Sequence, residues 1–174
     1  MKPILILLVF FSFFFEINAQ YNPGIFNYGI VAIKGANSVS EIGGGLRVEF
    51  AYNCYNTFMV EYNRLFSVAS NNENSGYNEV VLGTSLILFN WNPTTVTAGM
   101  GYVVNNDSDF KNKVDEANLV FQTESLNHGV QIKLRGLHKL SRSIHVFGEF
   151  NLKSLGADYH NFLIGLNYEF NARR

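Results

Sequence analysis

The chain lacks the sequence features that mark most catalytic, metal-binding and membrane-helical proteins. Its 174 residues contain no glycine-rich phosphate loop, no cysteine cluster and no HExxH motif. The single cysteine, Cys54, excludes an internal disulfide. Beyond the N-terminal segment, no stretch of eighteen consecutive apolar residues occurs, which excludes a membrane-spanning helix. The formal net charge of −1 gives no basis for attraction to nucleic acid, and we expect no cofactor.

The first nineteen residues have the three parts of a secretory signal peptide. Lys2 supplies the positive charge, residues 4–15 form an apolar or hydroxyl-bearing run, and Ala19 offers a small residue for cleavage. The run is shorter than the roughly twenty residues that a membrane-spanning helix needs. We therefore expect residues 1–19 to be a cleaved signal peptide and residues 20–174 to form one exported domain.

The exported part is dominated by segments in which every second residue is apolar. The alternation is clearest at 46–52, 130–135, 144–153 and 162–170. A period of two indicates extended strands with two chemically different faces. Behind a signal peptide, this pattern predicts a β-barrel whose outer face touches lipid and whose inner face is polar.

Eight strands of suitable length can be read from the sequence. We predict them at 25–34, 41–53, 56–67, 77–89, 94–104, 126–139, 143–153 and 161–171. Apart from a short first link, longer polar links at 68–76, 105–125 and 154–160 alternate with short turns, as periplasmic turns alternate with external loops in bacterial barrels. The expected fold class is all-β: a closed, eight-stranded, antiparallel, up-and-down transmembrane barrel.

Aromatic residues, 15% of the chain, cluster at the expected membrane borders. One group, near the inner border, comprises Tyr28, Phe50, Tyr52, Tyr55, Phe89, Trp91, Tyr168 and Phe170, and a second, near the outer border, comprises Phe66, Tyr77, Tyr102 and Phe162. Two places fit the alternation less well. On the first predicted strand, Val31 and Ile33 lie on the face opposite Tyr28, so the two faces do not differ clearly in polarity. On the third, Arg64 falls on the lipid-facing side, which places it either at a membrane border or after a bulge.

The alternation assigns nine charged side chains to the inside of the barrel. They are Arg47, Glu49, Glu61, Glu79, Lys133, Arg135, Glu149, Lys153 and Glu169. A buried charge without a partner costs several kcal/mol, so we expect these five acids and four bases to pair across the lumen. Eight strands leave an interior just wide enough for side chains to fill. The sequence therefore predicts a plugged, salt-bridged lumen and not a wide pore.

Together these features resemble the small outer-membrane barrels of the OmpA/OmpX type. The last predicted strand carries Phe162, Ile164, Leu166, Tyr168 and Phe170 on one face, similar to that family's terminal assembly signal, although four residues follow the last aromatic here. The resemblance covers about residues 20–174. It implies an outer-membrane location and contacts with outer-membrane lipids and the barrel-insertion machinery. From the parity of the strand faces and the loop lengths together, our hypothesis for the role is structural or surface-interacting, without catalysis and with any envelope partner unknown.

Two other functions remain open from the sequence. A lipid A-modifying enzyme would need a histidine that activates a hydroxyl, and His138 and His145 lie near Ser141 and Ser143. No histidine has a serine two residues later, which is the spacing of the outer-membrane deacylases. The other possibility is a barrel subunit of a secretion or surface assembly.

One loop has a spacing typical of calcium ligands. Asn105, Asp107, Asp109 and Glu116 occupy the first, third, fifth and twelfth positions of such a loop. The sixth position, where the sharp turn needs glycine, is Phe110. We therefore expect a solvated polar loop without a metal ion.

Overall fold

The computed structural model describes residues 23–36, 41–67, 76–107, 121–123, 126–154 and 160–170. The predicted signal peptide and most of the 105–125 link lie outside these residues. The described strands are β1 (Phe26–Gly35), β2 (Glu41–Ala51), β3 (Asn56–Ser67), β4 (Gly76–Trp91), β5 (Thr94–Asn105), β6 (Phe121–Thr123), β7 (Leu126–Lys139), β8 (Ile144–Lys153) and β9 (Asn161–Phe170). No helix in this part of the chain is long and apolar enough to cross a membrane.

All the strands except β6 close into a barrel. β1 to β5 pair in chain order, β5 pairs with β7, and β7, β8 and β9 follow before β9 returns to β1. Every pairing is antiparallel. The prediction of an all-β, closed, eight-stranded antiparallel barrel is confirmed. The short β6 pairs with β7 alone, opposite residues 126–128, and was not predicted as a separate strand.

The register of the pairings gives the barrel its tilt. We can follow the paired residues once around the wall, starting from Gly35 at the end of β1. The path leads through Asn161, Lys133 and Thr57 and returns to Ile25, just before β1 and ten residues earlier in the chain. A stagger of this kind belongs with strands tilted by about 35–45° from the barrel axis. Side chains that point inward from distant parts of the sequence are thereby brought to the same height.

The predicted barrel strands agree with the structure to within about two residues at each end. The largest difference is in β4, which continues to Trp91 through a register shift between Ile87 and Phe89. The β2–β3 turn is built by Asn53, whose Oδ1 accepts hydrogen bonds from the backbone N–H groups of Tyr55 and Asn56 at 2.8 and 2.7 Å. Cys54 lies in this turn and is half-buried.

The two ends of the barrel differ in their connections. One end, which we call the terminal end, carries both ends of the barrel chain and the turns at 52–55, 92–93 and 140–143. The opposite end, the loop end, carries the connections at 36–40, 68–75, 106–120 and 154–160. The longer connections therefore gather at one end, as predicted for the links at 68–76, 105–125 and 154–160.

The outer face of the barrel is apolar over nearly all of its described area. Leu46, Met100 and Ile164 are each more than 60% exposed. Outward-facing positions of the described strands carry two side chains of full charge, Lys34 and Arg64, both near the loop end. Arg64 therefore lies near the rim of the barrel and does not follow a bulge, because the β2–β3 and β3–β4 pairings run through it without interruption.

Aromatic side chains form a band around the terminal end. The rings of Phe26 and Phe50 lie 4.9 Å apart, and those of Phe89 and Trp91 lie 5.4 Å apart. The assignment of Tyr77 to the outer band is wrong. Tyr77 points inward, is 3% exposed, and donates its hydroxyl hydrogen to Glu41 Oε2 at 3.0 Å.

The interior is less uniformly polar than the sequence predicts. Val31 and Ile33 face inward on β1, whose two faces are distinct after all. They belong to a buried apolar cluster that continues around the wall. Its other members are Met59, Leu65, Tyr77, Val81, Val103, Leu137, Phe147 and Leu163. Apolar packing therefore accompanies the charged groups inside the barrel.

Two glycines on neighbouring strands allow the packing inside the barrel to be compared with that outside. Gly165 faces the interior and Gly148 faces outward. A Cβ at Gly165 would run into the Phe147 ring and the Ile30 carbonyl oxygen, whereas a Cβ at Gly148 would meet nothing within 4 Å. We expect Gly165→Ala to lower the free energy of unfolding by about 1–3 kcal/mol because the interior becomes overpacked. Gly148→Ala should change it by less than about 0.5 kcal/mol. Urea unfolding in detergent micelles measures both, and equal losses would contradict this packing.

Candidate functional site

Eight of the nine predicted luminal charges lie inside the barrel and are at most 4% exposed. They are Arg47, Glu49, Glu61, Glu79, Lys133, Arg135, Glu149 and Lys153. The ninth, Glu169, lies at the terminal end, is half-buried, and makes no ion pair with a described residue. The inward-facing charges therefore occupy the closed part of the barrel, and Glu169 lies beside it.

Arg47 on β2 joins two walls of the barrel. Its Nε donates to Glu61 Oε2 on the adjacent strand β3 at 2.5 Å. Its two terminal nitrogens donate to the two carboxylate oxygens of Glu149 on β8, at 2.8 and 2.9 Å. This two-point contact between guanidinium and carboxylate is the strongest and most directional geometry available to such a pair. It spans the lumen, since β2 and β8 are not neighbours.

Arg135 on β7 makes the second crossing, next to the first. Its Nη1 donates to Glu49 Oε1 on β2 at 2.5 Å, and its Nε lies 3.9 Å from Glu149 Oε2. Glu149 is thus shared by two arginines. Phe147 lies beside both, with its ring centroid 4.7 Å from the Cζ of Arg47 and 5.7 Å from that of Arg135. The ring face adds a cation–π attraction to the ion pairs.

A third crossing lies nearer the loop end. Lys153 Nζ on β8 donates to both oxygens of Glu79 on β4 at 2.6 Å. The Asn63 amide connects this pair to the arginines, because its Nδ2 donates to Glu61 Oε1 at 2.7 Å and to Glu79 Oε1 at 3.2 Å. The charged groups therefore form one connected network, in which the three crossings tie β2 to β7, β2 to β8 and β4 to β8.

Lys133 differs from the other luminal bases. Its Nζ lies 2.9 Å from Met59 Sδ on the opposite wall, and no carboxylate of a described residue lies within ion-pair distance. Its stem crosses Gly99, where a Cβ would collide with the Lys133 Cε. A Cβ at this position would also collide with the backbone carbonyl oxygen of Thr84, which cannot move aside, so the neighbouring strand requires glycine here. Lys133 therefore balances the network at longer range and fills the space beside Gly99.

Sequence reasoning missed the contributions of Phe147, Asn63 and Met59 to this interior. All three lie on the inward parity of their strands, so the alternation contains a signal for their direction. It contains none for their contacts, which depend on which residues of opposite walls reach the same height. The pairing partners of each charge are set in the same way by the stagger of the strands.

Two of the four histidines, His128 and His138, make polar contacts on the outer face. His138 Nδ1 lies 2.9 Å from Thr94 Oγ1, near the terminal end, and His128 Nδ1 lies 2.6 Å from the Tyr102 hydroxyl, near the loop end. The structure therefore joins His138 to a threonine and not to the nearby serines of the sequence. His145 faces inward and is 8% exposed. Its side chain forms no hydrogen bond with a described residue.

The structure describes only the first part, residues 105–107, of the loop whose spacing is typical of calcium ligands. Asn105 Oδ1 accepts hydrogen bonds from the backbone N–H of Asp107 at 3.3 Å and from Asn127 Nδ2 at 2.8 Å. Asp109 and Glu116 lie outside the described residues. Among the described residues, no group of three or more His, Cys, Asp and Glu side chains is arranged to hold a metal ion.

Comparison with known proteins identifies the fold. No protein-family model and no curated protein sequence matches the chain. Its structure is similar to a barrel from the de novo design of transmembrane β-barrels, with a TM-score of 0.59, 14% identity, and coverage of 86% of this chain and 98% of that one.

Two natural barrels match as well. Neisserial surface protein A has a TM-score of 0.56 and 9% identity, over 84% of this chain and 96% of that one. The N-terminal β-barrel domain of Pseudomonas aeruginosa OprF has a TM-score of 0.53 and 8% identity, over 86% of this chain and all of that one. Identities this low establish the fold alone. The chain shares the fold of the small eight-stranded outer-membrane barrels, as the sequence predicted.

Removing the shared carboxylate tests the network. Glu149→Gln leaves two buried arginines with one acceptor charge fewer, so we expect the free energy of unfolding to fall by about 3–5 kcal/mol. Glu169→Gln makes the same chemical change on the inward parity of the next strand, where no ion pair to a described residue exists. It should lower stability by less than about 1 kcal/mol. Urea titrations of both variants in micelles supply the comparison, and similar losses would refute the shared role of Glu149.

Proposed function

We propose that this chain is an integral outer-membrane protein with a structural or surface-interaction role, exported after cleavage of residues 1–19. The observation that carries the proposal is the inverted distribution of its side chains. Outward-facing positions of the described strands carry no charged side chain except near the loop-end rim and are mostly apolar, whereas eight ionised side chains are buried inside. A protein folded in water has the opposite arrangement, because apolar burial drives its folding. An apolar outside is favourable only against the acyl chains of a membrane.

The filled lumen supports a structural role over transport. Three ion-pair crossings and the Lys133–Met59 contact connect opposite walls through the middle of the barrel. A solute would have to break these contacts to pass. The proposed activity is therefore at the surface of the barrel and its loops, and we expect no catalytic step.

The last strand supports assembly by the barrel-insertion machinery. Phe162, Ile164, Leu166, Tyr168 and Phe170 all face outward and are 44–67% exposed. They lie on β9, which closes the barrel against β1. An apolar face on a closing strand is the feature that an insertion machinery can read before closure. Outer-membrane lipids are the expected partners of the same face after insertion.

The proposed orientation has the terminal end in the periplasm and the loop end outside the cell. The longer connections of bacterial barrels are extracellular, and here they gather at the loop end. The outer loops would then make any contact with surface or envelope proteins.

Thiol labelling tests both the location and the orientation. The native Cys54 lies in a turn at the terminal end, and Ala36 is exposed at the loop end. A polyethylene-glycol maleimide too large for porins should leave the wild-type protein unlabelled on intact cells and label it after lysis. In the double variant Cys54→Ser, Ala36→Cys, the introduced thiol should react on intact cells.

Cys54→Ser alone is the control and should remain unlabelled throughout. If Cys54 reacts on intact cells and the thiol introduced at position 36 does not, the orientation is the reverse of the one proposed. Absence of the protein from the outer-membrane fraction would reject the proposed location.

A further inference from the structure

A small polar cluster interrupts the apolar outer face near the loop end of β3 and β4. Arg64 Nη1 and the Tyr62 hydroxyl both donate to Asn78 Oδ1, each at 2.9 Å. The Asn78 backbone N–H in turn donates to Asn106 Oδ1 at 2.7 Å. We call Tyr62, Arg64, Asn78 and Asn106 the polar rim. All four side chains are on the outside of the barrel, so their hydrogen bonds hold a cation in a fixed place on the membrane-facing surface.

The charge of the polar rim is not neutralised by the described part of the protein. Arg64 makes no ion pair with a described residue, and the outward-facing positions of the described strands hold no carboxylate. Its guanidinium is oriented by Asn78 and by the Phe66 ring, whose centroid is 5.5 Å from Cζ. A guanidinium has five N–H donors, and one of them is used here. The remaining donors suit an anion with several oxygens, such as a phosphate.

An apolar groove lies below the polar rim on the same side of the barrel. It has a volume of about 870 Å³ and is open to the outside of the barrel. Its lining includes Leu82, Thr84, Met100, Tyr102, Val130 and Ile132. Asn78 and Leu82 are four residues apart on β4, which is about 13 Å along a strand. The headgroup layer of one leaflet is only about 5–8 Å thick, so a phosphate at the rim would place its acyl chains at the depth of the groove.

We propose that this face binds one lipid of the outer leaflet, with a phosphate monoester on the polar rim and an acyl chain in the groove. The proposal rests on the outer-membrane location and orientation proposed above. Charge complementarity selects the headgroup, because Arg64 requires an anion. The apolar lining selects a lipid over a free phosphate, since a soluble anion would leave the groove without an occupant.

The second outward-facing cation provides a matched control. Lys34 lies near the loop end of β1, above a smaller groove of about 330 Å³ that includes Ile30 and Ala32. Its side chain forms no hydrogen bond or ion pair with a described residue. Lys34→Gln and Arg64→Gln therefore remove the same charge from the same height, and only the second removes an oriented group.

The test uses the purified, folded full-length barrel in detergent, with dioleoyl phosphatidic acid as the probe and native mass spectrometry as the readout. We expect one phosphatidic acid to remain bound to the wild-type protein. Arg64→Gln should weaken this binding roughly tenfold, as expected for the loss of charge-assisted hydrogen bonds. Lys34→Gln should change it by less than about twofold. Met100→Asn, which makes the groove polar, should also weaken it, because the acyl chain then contacts an amide.

Several results would overturn the proposal. Equal losses in Arg64→Gln and Lys34→Gln would indicate attraction to net charge alone. Displacement of the lipid by excess inorganic phosphate would indicate a site for a free anion. If dioleoyl phosphatidylcholine binds as tightly as phosphatidic acid, and Arg64→Gln does not change that affinity, the lipid is merely solvating the outer face.

Heat-modifiable migration on gels separates these results from failure of the barrel itself. A folded variant migrates faster when unheated than when boiled. If a variant keeps this shift but loses lipid binding, the substitution has affected the lipid site and not the fold. Absence of the shift in the wild-type protein would instead count against the proposed function.

Discussion

The ion pairs that cross the lumen are the interaction on which the rest of this structure depends. A closed wall of eight strands leaves too little room for a water-filled interior, so the charges it encloses must find partners in each other. Arg47, Arg135 and Lys153 each reach a carboxylate on a distant strand. Because each partner lies on another wall, the pairs form only when the barrel has closed in one register. The buried charges thus favour one closed form, although their net contribution to stability can be small.

Placing the charges inside has a consequence for the outside. Because most charged groups of the described strands lie in the luminal network, the outer face is formed mainly by aliphatic and aromatic residues. The two outward-facing cations of the described strands lie near the loop end. Such a surface is unfavourable in water and favourable against acyl chains. The same arrangement therefore fills the lumen and supports the proposed membrane location and surface role of the barrel. Similarity to solved outer-membrane barrels agrees with this fold, but their low sequence identity carries no activity across.

Strand positions and the direction of most side chains could be predicted from the sequence, because alternation over ten residues is a local property. Arg47 and Glu149 were assigned to the lumen in this way. Their contact was not predictable, since residues 102 positions apart meet only through the stagger of the whole wall. Tyr77 was misassigned because an aromatic near a strand end suits a membrane border as well as an interior. The hydrogen bonds of Arg64 to a neighbouring strand also depend on register, which local pattern does not contain.

The most direct test of the central claim is a charge exchange at Lys153 and Glu79, whose contact crosses the lumen from β8 to β4. Lys153→Glu and Glu79→Lys should each lower the free energy of unfolding by about 3–5 kcal/mol, because each places like charges together. The double exchange should recover most of that loss. Urea unfolding of the four proteins in micelles gives the coupling energy of the pair. Additive losses in the double variant would contradict the account, because the two side chains would then not meet inside the barrel.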